Sequence, residues 1–162
     1  MSVLMMMEWL QETSISIGIR ESIFWFPFLI ALHVMGTVTG IGLILALDLR
    51  LLNWGMKNTP LSAIFLQLRP WAIGGFVYQL ITGVFLFWSE PVRCFESWSF
   101  WIKMIAMCLA FGNAILFDKM IYPTSASWDT GPNMPFRAKF AGAASLVLWT
   151  IVIFTGRWTA YS

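Results

Sequence analysis

The stretch IFWFPFLIALHVMGTVTGIGLILAL, residues 23–47, decides what kind of protein this chain is. It contains no charged side chain and runs for 25 residues. At about 1.5 Å of rise per residue, such a helix crosses a hydrocarbon core about 30 Å thick. Near its middle stands His33, the one histidine of 162 residues, followed by Gly36, Thr37, Thr39 and Gly40. A polar ring at that depth needs a hydrogen-bonding partner, a ligand or a path to serve.

The rest of the chain has the same character. Apolar residues make up 59% of the sequence and charged residues 11%, with a mean hydropathy of +0.74. That balance belongs to an integral membrane protein. The ten Lys and Arg are scattered and the net charge is +2, so no basic face exists for nucleic acid. Cys94 and Cys108 lie at different expected depths, which argues against a disulfide between them. The first twenty residues hold Glu8 and Glu12 but no positive charge before Arg20, so they lack the n-region of a cleavable signal and are expected to be retained.

Residues 1–22 read as an amphipathic interfacial segment, Met-rich at first and then alternating Ile with Ser. Spans are expected at 23–47, 71–88, 100–117 and 138–156, within a single membrane domain 1–162. Thr59-Pro60 reads as a helix start, giving a short interfacial helix over 60–69, and Arg69-Pro70 as a break before the second span. The fold expected is all-α, an integral membrane four-helix bundle.

Arg20, Arg93, Lys103 and Arg157 flank one set of span ends, and Arg50, Lys57, Arg69, Lys119, Arg137 and Lys139 the other. Cytoplasmic loops carry the excess of Lys and Arg, so both termini are expected to face outward, away from the cytoplasm. Trp25, Trp88, Trp98, Trp101 and Trp158 near one set of ends and Trp54, Trp71 and Trp128 near the other suit two aromatic belts.

Each span carries one stripe of small or polar residues. His33, Thr37, Gly40 and Ile44 share a face in the first, with Gly36 beside it, and Gly75, Gln79 and Gly83 recur every fourth residue in the second. The third has Lys103, Ala106, Ala110 and Asn113, and the fourth Ala138, Ala141, Ser145, Val152 and Thr155. Small residues face neighbouring helices in membranes, and bulky apolar ones face lipid. Counting inward places His33 and Gln79 at similar depth, with Asn113 about one turn further in, so these three are expected to converge.

Two chemistries suit such a centre. In the first, His33 bonds Gln79 or Asn113 and fixes helix register. In the second, His33 is a metal ligand: the glycines beside it admit a planar ring such as haem b, and Met35, Met104 or Met107 supplies the second axial position. The candidate cofactor-binding set is then His33, Gly36, Gly40, Gln79, Lys103, Asn113 and Arg157, the two cations holding a carboxylate or propionate at the outer mouth. Ten methionines also suit Cu(I), although they show no ligand spacing. No carboxylate lies near His33 in depth, and no nucleophile or phosphate loop is recognisable, so hydrolase or transferase chemistry finds no support.

Ser16-Ile17-Gly18-Ile19-Arg20-Glu21-Ser22, Phe26-Pro27, His33, Asp48-Leu49-Arg50-Leu51-Leu52, Arg69-Pro70-Trp71, Thr82-Gly83 and Gly156-Arg157-Trp158-Thr159-Ala160-Tyr161 together resemble an uncharacterised bacterial family of small four-helix inner-membrane proteins. That resemblance implies the fold and no activity. His33, together with the run from Trp101-Ile102-Lys103 through Asn113 to Pro123, is also similar in layout to copper-resistance D and cytochrome-b-like bundles, whose haem-bearing members carry more histidines than this chain. The first functional expectation is a non-catalytic subunit or partner of a membrane complex, binding other membrane or periplasmic subunits or a second copy of itself. The alternatives are a haem- or copper-handling protein with His33 as ligand, and a small transporter or proton path through the same centre.

Overall fold

The computed structural model describes residues 2–129 and 134–159, and every element among them is helical. Two short helices, α1 (Val3–Gln11) and α2 (Ser14–Arg20), precede the long α3 (Trp25–Leu51) and α4 (Leu61–Ser89). A short α5 (Pro91–Glu96) leads into α6 (Trp98–Leu116), and α7 (Phe136–Thr159) ends the described chain. The four long helices are long and apolar enough to cross a membrane, and the chain is a multi-pass membrane protein.

Local chemistry sets the helix ends. The Ser2 and Thr13 hydroxyls accept from the Met5 and Ser16 amides, so each N-terminal helix has its own cap. Ser22 Oγ accepts from the Trp25 amide at 3.0 Å to start α3. Pro27 falls in the first turn, where its missing N–H leaves nothing unsatisfied. At the other end Asn53 takes a left-handed φ of 62°, with Trp54 N bonded to Leu49 O and Asn53 N to Arg50 O, a Schellman closure.

The second span departs from its sequence reading in two ways. Arg69-Pro70 does not separate a short helix 60–69 from a span beginning at 71; α4 is one helix with Pro70 inside it. Proline removes one backbone bond, and packing on both sides outweighs that loss: Leu61, Ile64 and Phe65 are buried before it, and Gly75 meets α3 after it. Nor does Thr59 cap this helix. Asp129, from the loop before α7, accepts from the Ser62 amide at 2.7 Å and from the Ser62 hydroxyl. An acid at a helix N-terminus is also favoured by the helix dipole.

The long helices form two antiparallel pairs, α3 with α4 and α6 with α7, and α3 against α7 joins the pairs. Backbones approach closely at two crossings. A Cβ on Gly75 would sit 2.8 Å from Gly40 Cα, and one on Gly142 would sit 2.9 Å from Leu51 Cβ. Ile41, Ala106, Ala110, Trp149 and Val152 form the middle of the core, and Leu51, Leu61, Phe65, Phe117, Ala138 and Ala141 one end of it. α4 meets α6 and the helical turn after it across long side chains, through Phe76 with Phe111 of α6 (4.5 Å between ring centroids) and through the ion pair of Arg69 with Asp118, just beyond α6, at 3.1 Å. Large apolar residues such as Ile23, Val38, Leu80, Ile105 and Phe154 stay on the outside, as lipid-facing positions do. At the end holding Trp25, Ser89 and Trp98, α1, α2 and α5 form a collar, pinned where Ser16 Oγ donates to Ser89 O and Trp88 Nε1 donates to Thr13 Oγ1.

Candidate functional site

His33 lies between α3 and α4 with both ring nitrogens engaged. Its Nδ1 is 2.9 Å from Thr82 Oγ1, and its Nε2 is 2.9 Å from Gln79 Nε2. An amide N–H donates, so Nε2 accepts and the ring proton sits on Nδ1, which donates to Thr82. Thr82 passes its own hydroxyl hydrogen to Tyr78 O at 3.0 Å. The second Gln79 amide hydrogen goes to Thr37 Oγ1 at 2.9 Å, and the Thr37 hydroxyl donates to His33 O at 3.1 Å. The chain of donors and acceptors closes on itself, with Gln79 Oε1 the one buried atom in it that has no hydrogen-bond partner.

Glycine places this network. A Cβ on Gly36 would collide with Gln79 Oε1 and the Tyr78 ring, and one on Gly83 would lie 3.2 Å from His33 Cε1. Gly40 and Gly75 bring the two backbones together. The glycine face beside His33 is therefore filled by α4. The other residues of the candidate set lie elsewhere. Asn113 donates to Ala141 O at 2.9 Å and ties α6 to α7, outside the His33 network. Its helix face turns to a different neighbour: Ala106 and Ala110 on the same stripe are buried with Trp149 and Val152 of α7.

Lys103 extends over Gly156, where a Cβ would lie 3.7 Å from its side-chain carbons and 3.8 Å from Nζ. It is partly buried, and its charge acts on Cys94 in α5. Burial pushes the Cys94 thiol up from its ordinary value, and the Lys103 charge opposes that shift. Arg157 is exposed at the end of α7.

Three polar residues stand out that the sequence reading treated as span closers or stripe members. Arg50 is completely buried; its Nε donates to Thr59 O at 3.0 Å and its Nη2 to Asp129 O at 3.3 Å, so it knots three segments together. Asp48, one turn before the end of α3, is only 3% exposed. Ser145 of α7 lines the same cavity as Asp48, and Asp48 Oδ2 has no hydrogen-bond partner. One signal was available for Asp48: it lies seven residues after the buried Ile41, on the same face. Asp48, Ser145 and Asn113 line a cavity of about 480 Å³ bounded by α3, α4, α6 and α7. Its walls are apolar and aromatic, and Arg69 and Asp118 stand at one end.

A family model matches residues 6–162. The chain belongs to that family, described as a family of unknown function (DUF6644). No curated protein and no solved structure matches it. Membership supports the uncharacterised family expected from the sequence and adds no activity, so any chemistry rests on this geometry.

Among the described residues, no group of three or more His, Cys, Asp and Glu could hold a metal ion. Haem does not fit the arrangement around His33. Iron would have to displace Gln79 from Nε2 or Thr82 from Nδ1, and the glycine face that would seat the porphyrin holds Tyr78 and Gln79. What the network does well is hold two helices in one register: an unmatched donor or acceptor at this depth costs free energy, so a slip of either helix is penalised.

Proposed function

We propose that this protein is a non-catalytic subunit or partner of a bacterial inner-membrane complex, with both termini in the periplasm. The observation that carries the reading is the closed His33–Gln79–Thr82–Thr37 network, in which no ring nitrogen or amide hydrogen is left to meet a substrate. The most polar point at membrane depth serves helix packing. Supporting the orientation, the collar of α1, α2 and α5 lies with Arg20, Arg93, Lys103 and Arg157, and the larger set of cations, Arg50, Lys57, Arg69, Lys119, Arg137 and Lys139, lies toward the other ends of the long helices.

The test is cross-linking in intact membranes, followed by purification in mild detergent, native mass measurement and a visible absorption spectrum. The expected result is a colourless complex of fixed stoichiometry heavier than the 18.5 kDa chain, containing a second copy or another subunit. A chain that remains single at every concentration, in membranes and in detergent, contradicts the proposal. A Soret band lost in His33→Ala would replace it with the haem-handling reading.

A further inference from the structure

The cavity between the two helix pairs has the construction of a ligand site. Its mouth is lateral: Ile73, Val77, Leu80 and Ile115 line it and are also exposed on the outside of the bundle. One wall is a cluster of three rings from three helices, Phe76, Phe111 and Trp149, with Phe76 and Trp149 centroids 5.1 Å apart and Phe111 and Trp149 6.2 Å apart. Phe65 and Phe117, 5.7 Å apart, form the end nearest the loops. Asp48 lines the same cavity beside Ser145; it is 3% exposed and carries an oxygen with no hydrogen-bond partner. The one cation lining the cavity, Arg69, is already paired with Asp118 and lies 5.5 Å from the Phe65 ring centroid.

A buried carboxyl with an unmatched oxygen is costly in hydrocarbon, and ionisable groups persist there when they meet an ion or a ligand. Aromatic faces attract cations, and rings surrounding a carboxylate are the usual chemistry for binding organic ammonium groups. We infer that the cavity binds a lipophilic organic cation, which enters from the side between α4 and α6 and places its charge against Asp48 and its apolar body against the ring walls. The volume of about 480 Å³ suits a small multi-ring or branched molecule. This site is separate from the His33 network and independent of the subunit reading.

Tritiated tetraphenylphosphonium, titrated against the full chain in lipid nanodiscs, tests the inference. The expected result is saturable binding near one per chain, above the partition into empty nanodiscs. Asp48→Asn should weaken it at least tenfold, and Glu96→Gln, at an exposed position in α5, should leave it unchanged. Ala114→Trp, which fills the cavity from α6, should abolish saturable binding with helicity preserved by circular dichroism, so the inference stays testable if Asp48→Asn fails to fold. Tetraphenylborate, of the same shape and opposite charge, should not compete. Uptake no greater than in empty nanodiscs overturns the inference. So does wild-type binding in Asp48→Asn, or competition by tetraphenylborate equal to that of unlabelled probe, either of which would show a greasy groove that takes lipid without reading charge.

Discussion

At the scale of single residues, the glycines divide into two classes with opposite expected responses. Gly75 has the Gly40 backbone 2.8 Å from where its Cβ would be, whereas Gly74 and Gly112 have nothing within 4 Å. Gly75→Ala must push α3 and α4 apart and is expected to destabilise the fold by about 1–3 kcal/mol. Gly112→Ala should be neutral or stabilising by up to about 1 kcal/mol, through helix propensity alone. Reversible unfolding in mixed micelles measures both, and equal losses at the two positions would contradict the close crossing. Cys94 gives a second check. Because burial holds its thiol above the ordinary value, its thiolate fraction at pH 8 is low, and iodoacetamide should modify it more slowly than it modifies the same chain unfolded in detergent. Lys103→Met removes the charge that opposes this shift, so it should slow the reaction further; faster labelling in that variant would contradict the placement of Lys103. The partnership of His33 with Gln79 is readable from sequence, since both sit on small-residue stripes at matching depth. Asn113 shows the limit of that reasoning, because depth does not fix which neighbour a helix face meets.

At the scale of elements, the long spans are legible because an apolar run of this length has few other solutions in water or lipid. Their ends are less so. The Thr59-Pro60 and Arg69-Pro70 signals are local, and both give way to contacts from far along the chain: Asp129 supplies the α4 cap, and the Gly40–Gly75 crossing with the buried Leu61–Phe65 turn carries the helix through Pro70. Asp129→Ala should therefore cost about 0.5–2 kcal/mol, with the loss of amide-exchange protection confined to the first turn of α4. Protection unchanged at Ser62 would mean that the cap does not act. Asp48 and Arg50 were hidden for a related reason: charged residues at the end of an apolar run look like interface markers, yet α3 continues through them to Leu51 and α7 and the loops cover them.

At the scale of the molecule, two helix pairs share one seam, α3 against α7, and leave a lateral cavity on the opposite side. Orientation is testable with an impermeant maleimide on intact spheroplasts in a Cys94→Ser, Cys108→Ser background. Cysteine placed at Glu96 should label from outside and cysteine at Lys57 only after permeabilisation, and the reverse pattern would invert the topology. Four-helix architecture was legible from hydropathy and stripes, whereas the seam order was not, since every span carries a small-residue face able to pack on any other. The α3–α4 pair depends most on the His33 network, and its claim to be a structural clamp is the centre of this account. A double-mutant cycle of His33→Leu and Gln79→Leu, read by equilibrium unfolding in bicelles, measures it most directly. The account predicts a favourable coupling on the order of 0.6 kcal/mol, the average for interhelical hydrogen bonds in membranes, and no more than about 1.7 kcal/mol. Strictly additive single losses would contradict it.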